Sequence, residues 1–154
     1  MSEEAELTCQ LCYPMMIDML LIWVGVKIIY DQGSLAMAEK IRDLMHANLF
    51  DVFNERDPER RIAAIARTYT DDVVFSDPDE IVTGREALNN KAQKLLDKAP
   101  GFVFTAGGPI YENRDLGYLA WQFGPVGQPP VVSGMDIAIV KEGRIATIYT
   151  LLTS

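Results

Sequence analysis

The stretch VVSGMDIAIVKEGRIATIYTLL, Val131 to Leu152, decides how the chain is read. Two apolar runs flank Lys141-Glu142-Gly143-Arg144, with Gly143 suited to a left-handed turn position. The runs read as strands over 131–140 and 144–152, joined by a tight hairpin. Moving upstream, the glycines and prolines between Gly124 and Pro130 mark a loop. Further strands are expected at 102–106, 109–113 and 116–123. The C-terminal third is therefore a run of consecutive strands.

The segment before it carries a different period. Ile41, Leu44, Met45, Leu49, Val52 and Phe53 recur at helical spacing and predict a first helix over 36–54. Asp57-Pro58 opens a second: Asp caps the free amides, and Pro occupies the first turn, where its missing N–H costs nothing. Ile62, Ala63, Ile65, Ala66 and Tyr69 form its expected buried face. Val73-Val74-Phe75 reads as a short strand. Thr83-Gly84-Arg85-Glu86 has the form of a capping box and opens a third helix to about Lys98, closed by Pro100-Gly101. Helices followed by a run of strands argue for an α+β domain. The expected form is a cone-shaped barrel, with a curved, mostly antiparallel sheet wrapped around three helices.

The 154 residues are 49% apolar and 23% charged, which suits one folded domain and excludes a disordered tail or a disulfide scaffold. Lys and Arg number 14 against 22 Asp and Glu, a net charge of −8 that repels phosphate backbones, so no nucleic-acid partner is expected. One His and two Cys rule out a three-histidine zinc centre and a four-cysteine site within one chain, and no metal is expected.

A boundary is expected near Gln32-Gly33-Ser34, dividing a leader, 1–34, from the domain, 35–154. The leader's apolar stretch from Met15 to Tyr30 is interrupted by Asp18 and Lys27, and a spanning helix needs about 20 apolar residues. Three readings of the leader stand together: a membrane tether, a segment packing on the domain or a partner, and an extension upstream of a natural start at Met37. Membrane attachment is the least favoured, and a cytoplasmic location is expected. Cys9-Gln10-Leu11-Cys12 is an isolated pair, read either as reduced cysteines or as half of a shared metal or redox site.

Two carboxylates stand out as candidate catalytic groups. Asp77 shares a strand face with Val73 and Phe75, and Pro78 biases it towards extended backbone. It reads as a proton acceptor at a pocket mouth, or as a turn residue bonding local amides. Asp136 shares a face with Val132, Gly134, Ala138 and Val140, which reads as an inward face with space near the carboxyl, although the other face, with Val131, Ser133, Met135, Ile137 and Ile139, is apolar too. A buried carboxyl there takes a proton more readily than usual; the alternative is a pair with Arg or Lys. Leu49, Phe53, Phe75 and Trp121 are the expected apolar lining for a small apolar molecule. His46 lies at the edge of the first helix's apolar stripe. Arg60, Arg61, Arg67 and Arg85 read as solvated faces or surface pairs.

Asn54-Glu55-Arg56-Asp57, the run Tyr69 to Pro78, the segment Val82 to Leu88 and the last strands around Asp136 together resemble the SnoaL-like branch of the nuclear transport factor 2-like superfamily, over about 37–154. The resemblance implies a pocket between sheet and helices and a homodimer through the outer sheet. It also implies cofactor-free acid-base chemistry of the isomerase, cyclase or hydrolase class, or a non-catalytic binding or dimerisation module. By this resemblance Asp77-Pro78 matches the general base of ketosteroid isomerase, and Asp136 its protonated oxyanion-binding Asp. Leu49 falls near that enzyme's tyrosine donor and cannot donate, so steroid isomerisation is not expected. Asp136 also resembles the late-strand acid-base Asp of polyketide cyclases, whose paired His has no counterpart here.

Overall fold

A computed structural model describes residues 40–153, which fall within one compact unit, Met37–Ser154. The leader, its CxxC pair and the expected boundary lie outside the described residues. Helix α1 runs α-helically over 40–47 and continues as a π-helical turn, Asn48–Phe53. The sequence period did not announce that wider turn, which recurs in proteins at functional sites. It buries Asn48, Leu49, Val52 and Phe53.

Helix α2, Pro58–Thr68, starts as expected, with the Asp57 side chain accepting from the Arg60 amide at 2.9 Å. Its buried face differs from the expected one. Arg61, Ala64, Ile65 and Thr68 point inward, Ile62 is 55% exposed, and Tyr69 has left the helix. Arg61 drives the change. Its Nε donates to Asn89 Oδ1 at 2.9 Å, Nη1 to the Glu55 carbonyl at 2.8 Å and Nη2 to Gln93 Oε1. With those acceptors waiting, the fully buried guanidinium is satisfied, and the expectation that it is solvated fails. Arg67 does pair with Asp51 at the surface, at 2.9 Å.

Helix α3 spans Arg85–Lys98. The capping box does not form: Gly84, at φ +88°, is the N-cap, with no side-chain cap bond. Thr83 belongs instead to a short strand and pairs with Val74. At the other end Arg56 donates to the carbonyls of Leu96, Ala99 and Phe102 at 3.0–3.1 Å, satisfying groups the helix terminus leaves free.

Among the described residues, seven strands form the sheet: β1 Tyr69–Ser76, β2 Ile81–Thr83, β3 Phe102–Ala106, β4 Tyr111–Asn113, β5 Leu116–Pro125, β6 Val132–Lys141 and β7 Arg144–Leu152. Their order is β2-β1-β7-β6-β5-β3, with β4 also on β5. All pairs are antiparallel except β1–β7. The expected α+β cone is thus an open, mixed sheet over three helices. β1 begins four residues earlier than Val73, and β2 was not expected. The β6–β7 turn carries positive φ at both Glu142 (50°) and Gly143 (72°), as a two-residue hairpin turn requires.

Helices and sheet meet at close range. A Cβ on Gly117 would come within 2.9 Å of Ile41 and Met45, so glycine lets α1 settle on β5. Asn54 holds the outer edge of β3: its Nδ2 donates to the Phe104 carbonyl at 2.7 Å, and its Oδ1 accepts from the Phe104 amide at 2.6 Å. Among the described residues no helix is long and apolar enough to cross a membrane.

Candidate functional site

Alternation along β6 sends Gly134, Asp136, Ala138 and Val140 to the buried face, while Ser133, Met135, Ile137 and Ile139 are half-buried on the other. Asp136 is therefore carried into the interior, where it is 4% exposed. Its register partners are Leu119 on β5 and Thr150 on β7. Thr150 Oγ1 donates to Oδ1 at 2.7 Å, and Trp121 Nε1, from β5, donates to the same oxygen at 3.0 Å. Asn48, from the π-helical turn of α1, donates Nδ2 to Oδ2 at 2.7 Å. Behind it the buried Tyr69 hydroxyl donates to Asn48 Oδ1 and so orients the amide.

Three elements thus hold one carboxyl group with uncharged donors, and among the described residues no Arg or Lys pairs with it. Burial pushes the Asp136 carboxyl above its ordinary range; the bonds from Thr150, Trp121 and Asn48 oppose this and only partly offset it. Burial, then the Asp136 charge, raises the Tyr69 hydroxyl well above its usual value. A carboxylate has about four acceptor positions. Three are filled here, which leaves one on Oδ2.

Asp77 ends differently. Its Oδ1 accepts from the Asp79 and Glu80 amides at 3.0 and 2.9 Å, so it is the turn residue of the β1–β2 connection. Its Oδ2 lies 2.7 Å from Lys91 Nζ, which also reaches Glu80 Oε1 at 3.1 Å. Burial alone would raise its carboxyl, but the Lys91 bond, the two amides and the Lys91 charge outweigh it and hold Asp77 below its ordinary range. Lys91 is lowered by burial and raised more by Asp77 and Glu80, so it stays charged.

Both aspartates line one cavity of about 390 Å³. Leu49, Phe53, Phe75 and Trp121 line it too, with Phe104 and Phe123 completing an aromatic wall. Phe104 stacks on Phe123 at 4.3 Å between ring centroids and meets Trp121 edge-on at 5.2 Å. Asp77, Asp79 and Glu80 from the β1–β2 connection and Lys91, Lys94 and Lys98 from α3 add a charged rim. His46 is not among the lining residues; it is exposed and packs against Phe50 in a tilted pair, 4.4 Å between ring centroids.

The sequence reading missed Asn48, Tyr69, Thr150 and Lys91. Thr150 shares a strand face with Leu152, and α3 spacing puts Lys91, Lys94 and Lys98 on one side. Nothing local marks Asn48 as a carboxylate partner. Among the described residues, no group of three or more His, Cys, Asp and Glu side chains could hold a metal ion.

The fold has known relatives. A candidate isomerase of the SnoaL-like family from Agrobacterium tumefaciens superposes with TM-score 0.70 at 20% identity, over 75% of this chain and 99% of its own. A candidate SnoaL-like polyketide cyclase from Jannaschia sp. CCS1 gives 0.62 at 10% identity, over 75% and 87%. A candidate ketosteroid isomerase from Kribbella flavida gives 0.59 at 19%, over 76% and 80%. Identities this low establish the fold. No curated protein matches the chain. The model of the SnoaL-like domain matches residues 46–148, which span α1 from His46 to Ile148 in β7 and include every residue that holds the Asp136 carboxyl except Thr150, so the chain belongs to the SnoaL-like domain family.

Proposed function

We propose that the chain is a small-molecule pocket protein in which Asp136 performs cofactor-free acid-base chemistry, of the isomerase, cyclase or hydrolase class, on a small, largely apolar substrate. One observation carries the reading: a buried carboxyl with a spare acceptor position lines a cavity walled by aromatic rings. Burial raises its affinity for a proton towards the working pH, which favours a general base. The three donors hold the anion in place, so little reorganisation accompanies proton transfer. A proton leaving a carbon beside a substrate carbonyl would pass to Oδ2, and neutral Asp136 would return it elsewhere on the same molecule. Asp77, with both oxygens engaged, shapes the rim rather than taking the proton.

One observation favours a second reading, ligand binding without turnover. Trp121, Thr150 and Asn48 already satisfy most of the Asp136 carboxylate, as a purely structural buried group would require. Deuterium exchange at the α-carbon of planar aromatic ketones, followed by NMR, separates the two. The catalytic reading expects exchange that falls about 10²–10⁴-fold in Asp136→Asn, with the thermal shift from bound ketone retained. Binding without exchange supports the second reading, and no thermal response to ketones or phenols defeats both.

The proposal extends to a homodimer through the outer face of the sheet, where Tyr149 and Leu151 of β7 are 50% and 45% exposed. It places the protein in the cytoplasm, without a nucleic-acid partner, in keeping with the net charge of −8.

A further inference from the structure

Gly134 faces Trp121 directly across the β5–β6 pair, and Leu152 across β6–β7. Asp136 is the next inward residue along β6. A side chain at 134 would occupy the space the indole uses: a Cβ there would lie 2.5 Å from Trp121 Cζ2 and 2.7 Å from Cη2. Carbon atoms settle about 3.5–4.0 Å apart. The ring therefore lies across β6 only because residue 134 has no side chain. Lying there, it points Nε1 diagonally to Asp136 Oδ1, 3.0 Å away. The φ of Gly134 is not in the left-handed region, so the backbone alone does not demand glycine.

We propose that Gly134 is a positioning residue of the Asp136 site: its missing side chain seats the Trp121 indole and thereby fixes one of the three donors on the carboxyl group. This rests on the reading of Asp136 as the working carboxyl, and adds what tunes it. Thr150 and Asn48 donate to Asp136 from β7 and α1. The titratable groups around Asp136 are Tyr69, behind Asn48, and Asp77 and Lys91 across the cavity; Asp79, Glu80, Lys94 and Lys98 stand at the rim. None of these titratable groups supplies the atoms nearest a Cβ at 134, which belong to the Trp121 indole and the Leu151 carbonyl; the indole is the one of these that bonds Asp136 directly.

The test needs no ligand, so it succeeds or fails separately from the proposed activity. In the full chain, the Asp136 carboxyl carbon is followed by NMR against pH in wild type, Gly134→Ala, Trp121→Phe and the double variant. Trp121→Phe removes the donor and should raise the Asp136 midpoint by about one unit or more, the worth of a hydrogen bond to a charged group. Gly134→Ala should raise it similarly and move the Trp121 indole N–H resonance. The double variant should match Trp121→Phe alone. The 134 Cβ would also approach the Leu151 carbonyl oxygen at 2.6 Å. Should that contact stop Gly134→Ala from folding, thermal melting of the double variant decides. If alanine at 134 is tolerated only in combination with Trp121→Phe, the indole seat is the reason for glycine. If alanine costs as much in the Trp121→Phe background as in wild type, or a folded Gly134→Ala leaves midpoint and resonance unmoved, the proposal is overturned.

Discussion

Two aspartates lining one cavity carry opposite perturbations, and this gives pH-dependent stability two windows. Burial pushes Asp77 up, yet Lys91 and two amides outweigh it, so Asp77 titrates below its ordinary value of 3.8. Its contribution is present above that value and lost as pH falls through the lowered folded one. Asp136 titrates above 3.8 in the fold. The folded state there binds the proton more tightly than the unfolded chain, so stability declines as pH rises from 3.8 to the raised folded value. Melting temperatures across this range should show the wild type losing ground to Asp136→Asn as pH rises. Asp77→Asn should lose most relative to wild type above pH 3.8 and least in stronger acid. Equal differences at every pH would mean the environments are misread. Tyr69→Phe probes the network one bond further out. It leaves Asn48 Oδ1 buried without a donor, at a cost of about 1–3 kcal/mol measurable by denaturant unfolding.

At the scale of the element, Arg61 ties α2 to α3 and to the Glu55 carbonyl with neutral acceptors alone. Arg61→Met keeps the length and apolar stem but strands Asn89, Gln93 and the carbonyl together. A loss of about 3 kcal/mol is expected in urea unfolding; a loss below about 1 kcal/mol would show that water replaces the guanidinium. The same residue explains where sequence reading stopped. Ile62 was expected inside because it is apolar, yet a guanidinium with three partners rotated the helix by about one residue. Two of those partners lie 28 and 32 residues away on α3, so no local period reveals them. Thr83-Glu86 failed as a capping box for a related reason: β2 pairing with β1 claimed Thr83 first. The β6–β7 hairpin was legible because its turn residues and flanking apolar runs agree, whereas both faces of β6 are apolar, and only the sheet settles that Gly134, Asp136, Ala138 and Val140 point inward. The three donors on Asp136 come from three other elements, and only tertiary structure assembles them.

Across the whole domain, the sheet and helices frame a cavity of about 390 Å³ that opens at a charged rim, whereas the rest of an interior packs to near crystal density. A ligand of matching shape would gain dispersion contacts against the aromatic wall. Leu95 is half-buried on α3 and lines this cavity, while Leu88, Ala92 and Leu96 hold the helix in the core. Leu95→Trp should therefore fill the void without disturbing that packing. A planar ketone at a hundredfold excess over its Kd would stabilise the wild type by about 2.7 kcal/mol, a shift of several degrees in Tm. In Leu95→Trp the ligand-free Tm should stay level or rise, and the ligand-induced shift should vanish. Retention of the shift would place the ligand outside this cavity. A collapse of the ligand-free Tm would mean that the wall cannot accommodate the indole and that the space is held closed to added bulk.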